Sequence, residues 1–187
     1  MVASASCGGG GDPSVPVGGD AEVGADDWVP RGPFRFVDDT KNAGLADFRQ
    51  IQGETTKPFI LGAIGATVAL FDFDQDGDLD AWLTNGSRLQ EDAPTAYDGL
   101  FANDGSGRFE EVSERVGVRE AGYTAGIRIA DVDGDGWRDA YLTNWGANSL
   151  YRNREGTSFE EVAAASGLDA EAWSTGAAFF DADRDGD

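Results

Sequence analysis

Carboxylates at the first, third, fifth and ninth places of a nine-residue run, with glycine at the sixth, occur twice in this chain. The first copy is Asp72, Asp74, Asp76 and Asp80 around Gly77, and the second is Asp131, Asp133, Asp135 and Asp139 around Gly136. A third run, Asp181, Asp183 and Asp185 before Gly186, repeats the first seven places, the seventh being Asp187, the last residue. Acidic side chains packed this closely repel one another unless a cation stands among them. Many hard oxygen ligands in a loop of loose geometry suit an ion that accepts about six to eight oxygens, which points to Ca2+. The glycine at place six allows a sharp turn, so that the carbonyl of place seven, from Asp78 or Trp137, joins the side chains as a ligand.

The elements that must hold such loops can be read from their flanks. An EF-hand needs a bidentate acid at place twelve and a helix on either side. Place twelve is Leu83 or Leu142, within Ala81-Trp82-Leu83-Thr84-Asn85 and Ala140-Tyr141-Leu142-Thr143-Asn144, which are β-compatible runs ending at a turn-forming Asn. Before the loops stand Thr67 to Phe71, Gly126 to Ala130 and Gly176 to Phe180, short apolar runs behind or beginning at glycine. Each loop is therefore expected to join two strands of a hairpin. A helical pair of the EF-hand or dockerin kind, and a merely solvated acidic turn, are the weaker alternatives.

Composition limits the partners. The net charge is −21 with a pI near 4.1, which argues against nucleic acid or an anionic membrane surface. Thirteen of the acids lie in the three loops, so bound ions would relieve much of the self-repulsion. With no histidine, the usual general base and the commonest zinc ligand are missing, and a single cysteine excludes an intrachain disulfide and thiolate clusters. The apolar stretch from Phe59 to Phe71 is short and broken by glycines, so it reads as a core strand with its approach and no membrane span is expected. Residues 1–29, rich in Gly, Pro, Asp and Ala, are expected to be a signal remnant and flexible linker. Small residues followed by Cys7 and a glycine run resemble the end of a bacterial lipoprotein signal, which makes Cys7 a candidate lipid anchor.

A second element repeats with the loops. Phe109-Glu110-Glu111-Val112 closing at Gly117-Val118 recurs as Phe159-Glu160-Glu161-Val162 closing at Gly167-Leu168, and a divergent earlier copy spans Phe34 to Leu45. The later two copies lie 50 residues apart, as do the loops beginning at Asp131 and Asp181, while the first two loops lie 59 apart because of an insert from Ser87 to Asp98. A strand into the loop, one out of it, a third at Leu100 to Asn103 or Leu150 to Asn153, and a fourth from Phe109 or Phe159 make four short strands per unit. The fold class expected is all-β, with four-stranded blades of a β-propeller, over 30–187.

The acidic loop, the following Ala-Tyr-Leu-Thr-Asn, then Asn148 to Asn153, Phe159 to Val162 and Ser166-Gly167-Leu168 resemble the FG-GAP or VCBS repeats of integrin-α-like propellers. They are closest to the subgroup found with the ASPIC/UnbV domain. The resemblance covers about Phe34 to Asp187. It implies structural calcium held by the side chains of Asp72, Asp74, Asp76 and Asp80, of Asp131, Asp133, Asp135 and Asp139, and of Asp181, Asp183 and Asp185, with carbonyls from Asp78 and Trp137; a seven-bladed ring, of which about three partial blades are expected here as the front of a longer protein; and an exported or cell-surface location. The function expected is a binding or scaffold module for protein or glycan, and not an enzyme, because the acids with the clearest placement are accounted for as metal ligands. The competing expectation is the propeller of a carbohydrate-active enzyme with paired carboxylates. The remaining acids, such as Glu110, Glu111, Glu160 and Glu161, recur in each unit, which points to architecture. The unrepeated insert and Trp145 and Trp173 are candidates for a ligand-binding edge. Glu91 and Asp169 are the unrepeated acids that a catalytic reading would need.

Overall fold

The computed structural model describes residues 37–53, 56, 60–63, 66–88, 96–119 and 121–182. The expectations for residues 1–29, for Cys7, for the core of the insert including Glu91, and for Asp183 and Asp185 lie outside the described residues. The chain divides into two units, Met1–Asp38 and Asp39–Asp187, and every element below belongs to the second.

The first four strands are β1 (Val68–Phe71), β2 (Asp80–Leu83), β3 (Gly99–Asn103) and β4 (Phe109–Glu111), and they pair antiparallel in that order. The next four are β5 (Thr124–Ala130), β6 (Asp139–Gly146), β7 (Ser149–Arg154) and β8 (Ser158–Glu161), again paired in chain order. These are two four-stranded blades of an incomplete β-propeller. The turn expected after each fourth strand is a four-residue helix, α1 (Ser113–Val116) or α2 (Ala163–Ser166), ended by Gly117 or Gly167 in the left-handed conformation. The earlier, divergent copy shows the same closure: residues 40–44 turn to Gly44 at φ 81°, and the Phe109 N–H donates to the Ala43 carbonyl at 2.8 Å.

Register places the acidic loops. Phe71 pairs with Asp80 and Ala130 pairs with Asp139. The acid at place nine thus begins the strand that leaves the loop and sits opposite the last residue of the strand that enters it. Both flanks of both loops are strands, so the hairpin expectation holds and the helical pair does not.

The core lies where the two sheets face each other. Trp82 of β2, fully buried, meets Tyr151 of β7 at 5.7 Å and Phe159 of β8 at 5.8 Å between ring centroids, and Phe73 meets Phe159 at 6.2 Å. Leu100, Leu142, Val112, Val116 and Ile127 belong to the same cluster. Large aromatics of about 150–250 Å², at roughly 25 cal/mol per Å² of apolar surface, make this face the main adhesive between blades.

The third repeat departs from expectation. Residues 176–180 form no strand; instead β9 (Ala172–Trp173) pairs with the far end of β6, Trp173 opposite Trp145. A strand exists through its ladder, and among the described residues nothing pairs with 176–180. The Gly176 to Phe180 run therefore keeps its apolar composition without strand geometry, and Phe180 is 82 % exposed.

Candidate metal centres

Between β1 and β2 the chain must reverse within residues 72–79, and acids and backbone share the work. Gly77, at φ 97°, takes a conformation that side chains rarely tolerate, and its N–H donates to Asp72 Oδ2 at 3.1 Å. The Asp78 N–H donates to Asp76 Oδ1 at 2.9 Å. The second loop repeats both contacts, with Gly136 N–H to Asp131 Oδ2 at 2.8 Å and Trp137 N–H to Asp135 Oδ1 at 2.9 Å. Place one therefore anchors the turn and place five braces place seven, whatever else these acids bind.

The place-nine acids are the most constrained. Asp80 is fully buried, accepting the Phe73 N–H at Oδ2 and the Asn103 N–H at Oδ1, both at 2.9 Å. Asp139, equally buried, accepts the Val132 and Asn153 N–H groups at 2.8 Å. Each ties the loop to the third strand of its own blade. Burial nevertheless raises both carboxyls above their ordinary value, outweighing the two backbone donors, and neighbouring loop acids push the same way. Asp74 is raised first by burial and then by the charges of Asp76 and Asp72. Anions held out of water beside other anions are what a bound cation relieves.

Three acids of each loop converge. Asp72, Asp74 and Asp80 each bring a carboxylate oxygen within 4.8 Å of the others, and so do Asp131, Asp133 and Asp139. Asp76 and Asp135 fall outside these trios. In the first loop, Asp72 Oδ1 and Asp74 Oδ1 are buried and have no hydrogen-bond partner. Two desolvated carboxylate oxygens without donors, at the wall of an all-oxygen cluster, fit a hard divalent cation. The Asp-only clusters could thus chelate an ion such as Ca2+. If bound, that ion would be held by places one, three and nine, and it would supply charge compensation between the strands flanking each loop.

The second loop is completed differently. Arg152 of β7 projects onto it, its Nη2 in contact with Asp133 Oδ2 and 3.7 Å from Asp135 Oδ2. The Asp135 N–H also bridges Asp131 Oδ1 at 3.1 Å and Asp133 Oδ1 at 3.2 Å. The corresponding residue of β3 is Ala102, since Ala102 and Arg152 each precede the Asn that meets the place-nine acid.

The loops also touch across the blades. Gln75 Nε2 donates to the Gly136 carbonyl at 2.9 Å, and Asn153 Nδ2 donates to the Phe73 carbonyl at 2.8 Å. Gly156, in the turn between β7 and β8, sits so close that an added Cβ would lie 2.7 Å from Asp74 Cα and 3.0 Å from the Trp137 ring. Sequence reasoning passed over Arg152, Asn153 and Gly156. Only the Asn carried a signal, because Asn103 and Asn153 recur at the ends of equivalent strands.

Of the other expected positions, Asp181 is described and exposed, outside any metal-ligating group among the described residues. The ends of the insert are buried: Asp98 accepts the Asn85 N–H at 2.6 Å and the Thr124 hydroxyl at 2.9 Å, standing where Asn148 receives the Asn144 N–H in the next blade. Ala96, Tyr97 and Asp98 line a cleft of about 540 Å³, with the Arg119 guanidinium 4.4 Å from the Tyr97 ring centre. Trp145 and Trp173 pair edge to face at 6.2 Å and remain 54 % and 39 % exposed. No helix among the described residues is long and apolar enough to cross a membrane.

Set against known proteins, residues 72–142 and 131–187 each match the family described as FG-GAP-like repeat. No curated protein matches the chain.

Proposed function

The chain belongs to the FG-GAP-like repeat family, and from that premise we propose that it is a calcium-stabilised propeller segment of an exported or surface-bound binding module. The observation that carries the metal reading is the pair of buried, partnerless oxygens, Asp72 Oδ1 and Asp74 Oδ1. Calcium suits them because the cluster is all carboxylate, and we assign the place-seven carbonyls of Asp78 and Trp137 as further oxygen ligands. Affinities of extracellular calcium modules, roughly 10⁻⁴ to 10⁻³ M, would leave such loops mostly empty at cytosolic free calcium. Export follows from that, and lipidation of Cys7 would supply an anchor.

Binding, not catalysis, is the activity we assign. The carboxylates with defined geometry are committed to backbone donors and to the ion. Ala96 and Tyr97 of the insert, with Arg119, line a cleft shared with Phe48, Arg49 and Glu111, which brings aromatic rings and charges of both signs together for a glycan or peptide.

The metal reading is tested by melting the full chain with a chelator and with roughly 10 mM calcium. An ion bound only by the folded state at about 10 to 100 times its Kd adds about 1–3 kcal/mol per site, so the midpoint rises by several degrees, and Asp74→Ala removes part of the rise. An unchanged midpoint overturns it. The binding reading is tested on glycan and extracellular-protein arrays. It requires a saturable ligand lost in Tyr97→Ala without a change in melting; turnover of a glycan, abolished by changing Glu91 or Asp169, would replace it with an enzyme.

A further inference from the structure

We infer that the two acidic loops are unequal calcium sites, and that Arg152 is an internal counter-cation which holds the Asp131–Asp139 loop at lower affinity than the Asp72–Asp80 loop. The inference rests on the calcium reading above and adds to it a residue that sets the difference.

The contrast is atom by atom. In the second loop all eight carboxylate oxygens of Asp131, Asp133, Asp135 and Asp139 have partners: six receive backbone N–H groups and two face Arg152. In the first loop, Asp72 Oδ1 and Asp74 Oδ1 are buried with none. An ion entering the first loop gains oxygens that nothing else satisfies. An ion entering the second must be shared with a guanidinium already facing two of its four acids, and must either displace that group or tolerate its charge. Arg152 is about one-third exposed, so it can swing toward solvent when an ion enters, which makes it a competitor and not a permanent plug. Its own Nε is buried without a partner, so the pose is held by Asp133 and Asp135. Ala102 leaves the first loop with no such group. An arginine sharing a two-carboxylate face with an incoming cation is expected to change its affinity by about ten-fold.

Calorimetric calcium titration of the full chain tests this. Wild type should show two unequal steps, the tighter lost in Asp74→Ala and the weaker in Asp133→Ala. Arg152→Gln should tighten the weaker site about ten-fold, whereas Arg152→Lys, which keeps the charge, should leave it weak. A merely structural Arg152 would lower stability on substitution but would not raise affinity. Ala102→Arg supplies an independent arm that leaves the second blade untouched and should weaken the tighter site about ten-fold. Equal affinities in wild type, or a second site unchanged or weakened in Arg152→Gln with the first unmoved by Ala102→Arg, overturns the inference and leaves the calcium reading standing. No binding at either loop in any variant sinks the calcium reading as well.

Discussion

The loops at Asp72 and Asp131 share a pattern, a glycine, a hairpin register and a buried place-nine acid, yet they are supported from different directions. The first is roofed by the next blade: Asn153 reaches its Phe73 carbonyl and Gly156 abuts Asp74. The second is closed from within its own blade by Arg152. The repeat fixes each loop's hairpin and its place-nine anchor, whereas what completes each loop is not repeated: the next blade supplies it for the first, and a single arginine of the same blade supplies it for the second.

The largest effect should come from the feature the loops share. Asp80→Ala or Asp139→Ala removes the acceptor of two backbone N–H groups from a fully buried place. At about 1–3 kcal/mol for each group left unsatisfied, urea denaturation should show a loss of about 2–6 kcal/mol, similar for the two loops. A loss at one loop only would break their equivalence in architecture.

Gly156→Ala separates the loops next. Its Cβ would strike the Asp74 backbone at 2.7 Å, which cannot give way, whereas the Trp137 ring at 3.0 Å is a side chain that can shift, and its φ of 69° disfavours alanine. A change in the second blade should therefore cost about 1–3 kcal/mol and weaken calcium binding at the first loop. Titration that finds the second loop affected instead would contradict the roof described here.

Proton linkage gives a smaller, directional effect. Asp74, Asp80 and Asp139 are raised from 3.8 in the folded chain, so without calcium the folded state holds protons more tightly than the unfolded one. Calcium-free stability should accordingly increase as pH falls through the raised folded values toward 3.8, and decline as pH rises back through them. Calcium competes with those protons and should flatten the profile. Asp74→Asn removes one of the three raised groups and should therefore remove part of the pH dependence, read from melting temperatures in chelator.

The smallest effect tests the link between loops. Gln75→Ala deletes one exposed hydrogen bond to Gly136, which is worth about 0.5–1.5 kcal/mol at most. Paired titrations should show each loop's affinity becoming less sensitive to occupancy of the other.

Much of this was legible because repetition separates signal from noise. Acids at places one, three, five and nine, followed each time by Ala, an aromatic, Leu, Thr and Asn, specify a hairpin loop and its outgoing strand, and the structure places both. The four-strand unit was legible for the same reason. Of what escaped notice, only the recurring Asn103 and Asn153 carry a local pattern. Arg152 and Ala102 occupy equivalent places in a β-strand that tolerates either side chain, and only the fold shows that one faces an acidic loop. Asn153 meets Phe73 across 80 residues of sequence. The run from Gly176 to Phe180 reads as a strand by composition but forms none, since ladder pairing is a property of two segments and not of one. The insert reads as surface by length, while its ends are pinned by Asp98 in the role that Asn148 plays in the next blade.

The central claim is that the Asp72, Asp74 and Asp80 carboxylates surround an ion. The most direct measurement is a crystal structure of the chain grown in calcium, with anomalous scattering used to identify the ion. The account predicts an anomalous peak among those carboxylates, at roughly 2.3–2.6 Å from Asp72 Oδ1 and Asp74 Oδ1. Water hydrogen-bonded between protonated carboxyls, with no anomalous signal at saturating calcium, would contradict it.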